Sequence, residues 1–178
     1  QPLIADALCA LRLLIEPVAF DDLARVLGSA YLAWGDAGQQ LAVRVGLSRS
    51  GLAQWPEAVL DAALARLGAE NAAAEVFAAW LKAARTGSRR ASRVEWAQRL
   101  SQWLGAARFA RSATLDSRDT QRLQRWNELL DEFAALDAIG EPLQIAGAVD
   151  ELTRLAEAAR HAARTGDAAI TLTADRGA

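Results

Sequence analysis

The sequence predicts an all-α fold in which seven or eight helices pack irregularly, with at most a short C-terminal strand. Its composition favours helix, because alanine supplies 42 of the 178 residues while proline supplies only four. Apolar residues also recur at spacings of three and four between glycine and proline breakers. With 52% hydrophobic residues, a chain of this length can bury a core and is not disordered.

Five helices are expected in the first half of the chain, at residues 3–15, 21–27, 39–45, 57–67 and 70–85. We expect Asp21 to cap the second of them and Gly28 to end it. Pro56 stands where a first-turn proline belongs, and Gly68 closes the helix that follows it.

A linker at residues 86–91 combines breakers with charge, so it separates an N-terminal helical subdomain (1–85) from a C-terminal one (92–178) within one compact domain. After it, Ser92 and Glu95 have the spacing of a capping box. A long apolar stripe over residues 123–136 predicts the best helix, and Pro142 begins another that ends near Gly166. Residues 169–173 have strand character.

Motifs for catalysis are missing from the sequence. The phosphate-binding pattern G-x-x-x-x-G-K-[ST] is absent, and the only lysine, Lys82, lies in mid-helix. Cys9 and His161 are single, so no zinc cluster is expected, and His161 is interpreted as a surface residue near a helix C-terminus. The paired acids fit solvated helix faces better than a cleft. We therefore predict no catalytic residue, no metal and no cofactor in this piece of chain.

Residue counts predict the cellular location of the protein and indicate whether the chain is part of a longer one. No apolar run approaches the roughly 20 residues of a membrane span, and a lone cysteine fits a reducing cytosol, so the expected location is cytoplasmic and not in a membrane. The chain contains no methionine and opens with Gln1 and Pro2. We therefore expect it to be a piece of a longer protein.

Six tryptophans raise the possibility of stacking on nucleic-acid bases. Four of them fall on apolar helix stripes, which favours core packing: Trp80, Trp96, Trp103 and Trp126. Trp34 and Trp55 lie in less regular segments and are the more open candidates for stacking.

Charge is distributed unevenly along the chain. Residues 1–84 carry net charge −3 and residues 126–178 carry −6, whereas residues 85–125 hold ten arginines against three acids, a net +7. Such a segment predicts a phosphate-contacting patch, or equally an arginine face paired with acids of a neighbouring helix. Arg118, Arg122 and Arg125 share one helical face and should lie in solvent. The full set of candidate phosphate contacts is Arg89, Arg90, Arg93, Arg108, Arg111, Arg118, Arg122 and Arg125.

Several segments resemble one protein family. Residues 11–14, 20–27 and 28–32 resemble the "LLRSPFL" region of bacterial helicase–nuclease repair proteins. Glu95-Trp96-Ala97, Leu115-Asp116-Ser117, Gln121 and residues 125–137 resemble downstream helices of the same proteins, and the resemblance is strongest over 92–157. This is the group of ATP-dependent exonuclease-like proteins related to the AddB subunit of the break-processing helicase–nuclease.

In that family a helicase-like front half precedes a PD-(D/E)XK nuclease, and the present region resembles the helical insertion between them. The resemblance implies a non-catalytic accessory domain of a DNA-repair helicase or exonuclease, with DNA and the other domains of the parent protein as partners. The alternative is a protein–protein interaction module unrelated to DNA, which would use an apolar groove between helices.

Overall fold

The structure is a computed structural model that describes residues 2–15, 17–86, 90–111 and 115–174, with side chains for all of these except 138–139 and 162–174. The predicted all-α fold is confirmed: the chain is 72% helical, and its described part contains eight α-helices. They are α1 (Pro2–Arg12), α2 (Phe20–Leu27), α3 (Ala37–Ser48), α4 (Glu57–Gly68), α5 (Ala72–Arg85), α6 (Arg93–Ala106), α7 (Ser117–Ala135) and α8 (Ile145–Ala174). A 3-10 turn, Leu136–Ile139, follows α7.

Polar side chains cap several helix N-termini. The predicted capping box of α6 is confirmed, because the Ser92 hydroxyl accepts from the Glu95 N–H and the Glu95 carboxylate accepts from the Ser92 N–H. The predicted N-cap at Asp21 is wrong. Helix α2 begins at Phe20 with Ala19 as its N-cap, which places Asp21 in the first turn, where a negative charge favours the helix dipole.

Two very short antiparallel pairs of strands tie the helix connections together. Strand β1 (Val18–Ala19) pairs with β2 (Gln54–Trp55), and β3 (Arg90–Ala91) pairs with β4 (Leu143–Gln144). The first pair joins the entrances of α2 and α4, and the second joins those of α6 and α8. These pairings hold together segments that are far apart in sequence.

The expected C-terminal strand is wrong, because residues 169–173 lie inside α8, which runs through Ala174. Strand propensity depends on a partner edge. A continuing helix instead satisfies its backbone groups within the segment. Gly166 does not end the helix, so His161 lies in its middle and is exposed, not at its C-terminus.

The core is one cluster of buried side chains drawn from both sides of residues 86–91. Helix α1 contacts α2 and also α6, α7 and α8, so it is shared between the two proposed subdomains. None of the helices in the described part of the chain combines the length and the apolarity that a membrane crossing requires.

The predicted core tryptophans are confirmed: Trp80, Trp96 and Trp126 are buried, and Trp103 packs half-buried against the cluster. The expectation that Trp34 and Trp55 are open is wrong, since their exposed fractions are 3% and 2%. The Trp34 ring lies 4.8 Å from that of Phe77 and 5.0 Å from that of Trp80. Trp55 is carried into the core by the β1–β2 pairing. Irregular backbone therefore does not imply an exposed ring.

Candidate nucleic-acid interface

Arg93, predicted as a phosphate contact, lies at the start of α6 and is only 9% exposed. Its guanidinium donates to the Glu151 carboxylate from Nε at 3.1 Å and lies 3.0 Å from it at Nη2. Nη1 donates to the Glu141 carbonyl at 3.3 Å. The Arg93 side chain therefore fastens α6 to α8 and to the segment before it.

We expect Arg93→Ala to lower the free energy of unfolding by about 1–3 kcal/mol, because it leaves the Glu151 carboxylate without its partner. Arg118→Ala is the matched control, since Arg118 is exposed, and its effect should stay within about 0.5 kcal/mol. Urea denaturation measures both. Equal midpoints for the two variants would contradict a structural role for Arg93.

Two of the three arginines predicted to share a solvent-exposed face of α7 form ion pairs with acids of the same helix. Arg122 Nη1 lies 2.8 Å from Asp119 Oδ1. Arg125 Nη1 lies 2.8 Å from Glu132 and 3.0 Å from Glu128, and the hydrogen bonds to these carboxylates, led by Glu132, raise the pKa of Arg125. Both side chains are only about 30% exposed. The expectation of three arginines in solvent is confirmed for Arg118 alone.

Three exposed arginines lie in the connection between α6 and α7 or directly after it. Arg108, Arg111 and Arg118 are exposed, and their side chains form no ion pair or hydrogen bond with any other described residue. Arg90 is exposed and donates to the Pro142 carbonyl at 3.3 Å. Arg89 lies outside the described residues.

The turn that carries Arg108 has an unusual backbone. Arg108 and Ala110 have φ values of 53° and 56°, in the left-handed region that side-chain-bearing residues adopt at a cost of about 1–2 kcal/mol each. Buried Phe109 anchors the turn, and its N–H donates to the Leu104 carbonyl at 3.0 Å. Residues that bear such strain cluster at functional sites.

A neighbouring segment holds this turn in place. The Ala110 N–H donates to the Tyr31 carbonyl at 2.8 Å, and the Ala33 N–H donates to the Ala107 carbonyl at 3.1 Å. The Tyr31 hydroxyl donates to Asp119 at 3.1 Å, in the first turn of α7. Partial burial and the Asp119 carboxylate raise the pKa of Tyr31. The segment around Tyr31 is thus bound to both sides of the α6–α7 connection.

The segment around Tyr31 is also held to α1 by a buried carboxylate. Asp6 of α1 accepts from the Ser29 hydroxyl at 2.6 Å and from Arg25 Nε at 2.7 Å. The Ser29 hydroxyl oxygen in turn accepts from the Tyr31 N–H at 3.0 Å. A continuous polar network therefore runs from α1 and α2 to the start of α7, and it fixes where Arg108, Arg111 and Arg118 emerge.

The described residues contain no group of three or more histidine, cysteine and acidic side chains that could hold a metal ion. The acids that are neighbours in the sequence are exposed or half-buried, as expected for solvated helix faces: Asp21 and Asp22, Asp131 and Glu132, and Asp150 and Glu151. Two of them have partners, because Glu151 pairs with Arg93 and Asp22 accepts from the Cys9 thiol. The exposed guanidinium groups can bind anions, whereas Asp6 is the one buried carboxylate in the described part of the chain, so no enclosed pair of carboxylates for acid–base catalysis is found there.

Comparison of the chain with protein-family models, with curated proteins and with solved structures finds no match. The resemblance to helicase–exonuclease proteins therefore stays a prediction.

Proposed function

We propose that this chain is a non-catalytic helical accessory domain of a DNA-repair protein of the helicase–exonuclease type and that it binds DNA phosphates. The observation that carries the proposal is the set of exposed guanidinium groups of Arg108 and Arg111, in the strained and anchored connection between α6 and α7, and of Arg118, in the first turn of α7. We refer to these three residues as the arginine surface.

The arginine surface pairs with no acid among the residues that the structure describes. Arg93, Arg122 and Arg125 each pair with a carboxylate, which removes most of their attraction for a distant anion. The three unpaired groups keep their forks of N–H donors, which match the geometry of phosphate oxygens. Positive charges at Arg108 and Arg111, three residues apart in one connection, and at Arg118 at the start of the next helix favour an anionic partner.

The kind of binding follows from what else is exposed. The described tryptophans are buried or half-buried, so none presents a free ring for stacking on bases. Arginine contacts to phosphates fix position without reading sequence. We therefore expect weak binding of DNA, without sequence preference, that falls steeply as salt rises.

The test replaces Arg108, Arg111 and Arg118 with alanine and measures binding of a fluorescent duplex oligonucleotide by anisotropy over a range of salt concentrations. The triple variant should bind more weakly and flatten the slope of log K against log salt by about 2–3. The matched control replaces Arg49, Arg66 and Arg154, which are exposed and lie outside residues 85–125, with the same change in net charge. Equal slopes for wild type and the arginine-surface variant would contradict the proposal.

A groove between α6 and α7 favours the second candidate, a protein interaction module. It encloses about 560 Å³, and Val94, Ala97 and Leu130 supply its apolar wall. Gln98 and Asn127 also line it, so an apolar partner would leave amide groups without hydrogen bonds. This polar lining makes the groove a poorer basis for function than the arginine surface.

A further inference from the structure

A pocket of about 230 Å³ lies between α1, α2 and α8, apart from the arginine surface. Apolar side chains of two helices line it: Ile4 and Leu8 of α1, both buried, and Ala156 of α8. Its volume is below the range of about 300–1,000 Å³ that drug-sized ligands occupy. The pocket therefore suits a small molecule with a short apolar body.

Three arginines also line the pocket, one from each helix: Arg12, Arg25 and Arg160. Arg25 donates to Asp6 through Nε, so its two terminal amino groups stay available. Arg12 Nη1 forms an ion pair with Asp22 at 3.9 Å, beyond hydrogen-bond distance, so its N–H donors are still open to a ligand. Arg160 is exposed and pairs with no other described residue.

The acids around the pocket neutralise part of the charge of Arg12 and Arg25 but leave N–H donors of both for a ligand. Both Asp6 oxygens already accept hydrogen bonds, one from Arg25 and one from Ser29. Asp22 accepts from the Cys9 thiol, and burial together with that hydrogen bond raises the pKa of Cys9 to about 11. A neutral thiol therefore faces the pocket at pH 7. Glu157 is the one carboxylate among the lining residues.

We infer that this pocket binds a small amphipathic anion, with its apolar body against Ile4, Leu8 and Ala156 and its carboxylate among the three guanidinium groups. The apolar wall excludes water from the body of the ligand, and the arginines supply charge-assisted hydrogen bonds to its head. Neither feature depends on DNA binding, so this site stands apart from the proposed function.

The experiment titrates hexanoate into the ¹⁵N-labelled chain and follows its amide NMR signals. Hexanoate should bind saturably and shift the signals of Leu8, Cys9 and Ala156. Arg160→Gln should weaken binding about tenfold, the loss expected for one charge-assisted hydrogen bond. Arg160 is exposed, so this variant keeps the fold, and Arg154→Gln on the same helix, outside the pocket, should leave the affinity unchanged.

Two further probes separate the parts of the proposal. 1-Hexanol keeps the apolar body and inorganic phosphate keeps only the charge, so each should bind more weakly than hexanoate. Equal binding of 1-hexanol would mean that the arginines take no part, and equal binding of phosphate would mean that the apolar wall takes none. Either of these results would overturn the inference. It would also be overturned if Arg154→Gln and Arg160→Gln lost affinity equally, or if hexanoate showed no saturable binding.

Discussion

Trp126→Ala is expected to lower the free energy of unfolding by about 3–5 kcal/mol, because it removes the ring of a buried core residue of α7. The side chain is 2% exposed, and its ring lies 6.2 Å from that of Phe109 in an edge-on contact. Neighbouring core side chains from several helices cannot collapse fully into the space that the ring leaves.

Urea denaturation followed by circular dichroism measures this loss. Val76→Ala is the control on another helix, since Val76 is 46% exposed, and the change there should be within about 0.5 kcal/mol. An unchanged urea midpoint for Trp126→Ala would show that the ring is not in the core and would restore it as a candidate DNA contact.

Trp34→Ala is expected to cost a similar amount, about 3–5 kcal/mol, although Trp34 lies in an irregular segment. Its ring contacts Phe77 and Trp80 and is buried among them, while its backbone N–H donates to the Gln40 side-chain oxygen at 2.8 Å, a bond that both variants keep. Its ring Nε1 is buried without a hydrogen-bond partner among the described residues. Trp34→Phe removes this unpartnered indole N–H and keeps an aromatic ring, so its cost should stay below about 1.5 kcal/mol.

The two variants of Trp34 distinguish packing from base stacking. Core packing predicts that both variants lower the urea midpoint and that the alanine variant lowers it much more than the phenylalanine variant does. It also predicts that neither variant alters the salt dependence of DNA binding. An alanine variant of wild-type stability that has lost DNA binding would show instead that the ring stacks on a base.

Helices could be predicted from the sequence because their signals are local. The stripe of α7 and the capping box of α6 each involve residues three or four apart, and both were confirmed. The strand pairs could not be predicted, because two-residue strands show no alternation and their partners lie far away in sequence. Burial of Trp34 and Trp55 depends on the same distant contacts.

In the candidate site, too, contacts between residues close in sequence could be predicted and contacts between distant residues could not. Glu128 and Glu132 follow Arg125 by three and seven residues, so their side chains lie along the same helix face, whereas the alternative predicted from the sequence places the acids on a neighbouring helix. The pair of Arg93 and Glu151 spans 58 residues, and no local pattern indicates it. The left-handed turn at Arg108 was equally hidden, because arginine is not a residue that such a backbone favours.

The position of α1 has a consequence for how the chain folds. Helix α1, in which Leu3, Ala7 and Leu11 are fully buried, contacts α7 and α8, which begin more than about a hundred residues later. Closing so long a loop costs entropy before the contacts form, whereas the neighbouring pairs α4–α5 and α6–α7 can dock early. During synthesis the apolar side chains of α1 therefore lack part of their packing until α7 and α8 have been made, and α1 completes its packing last.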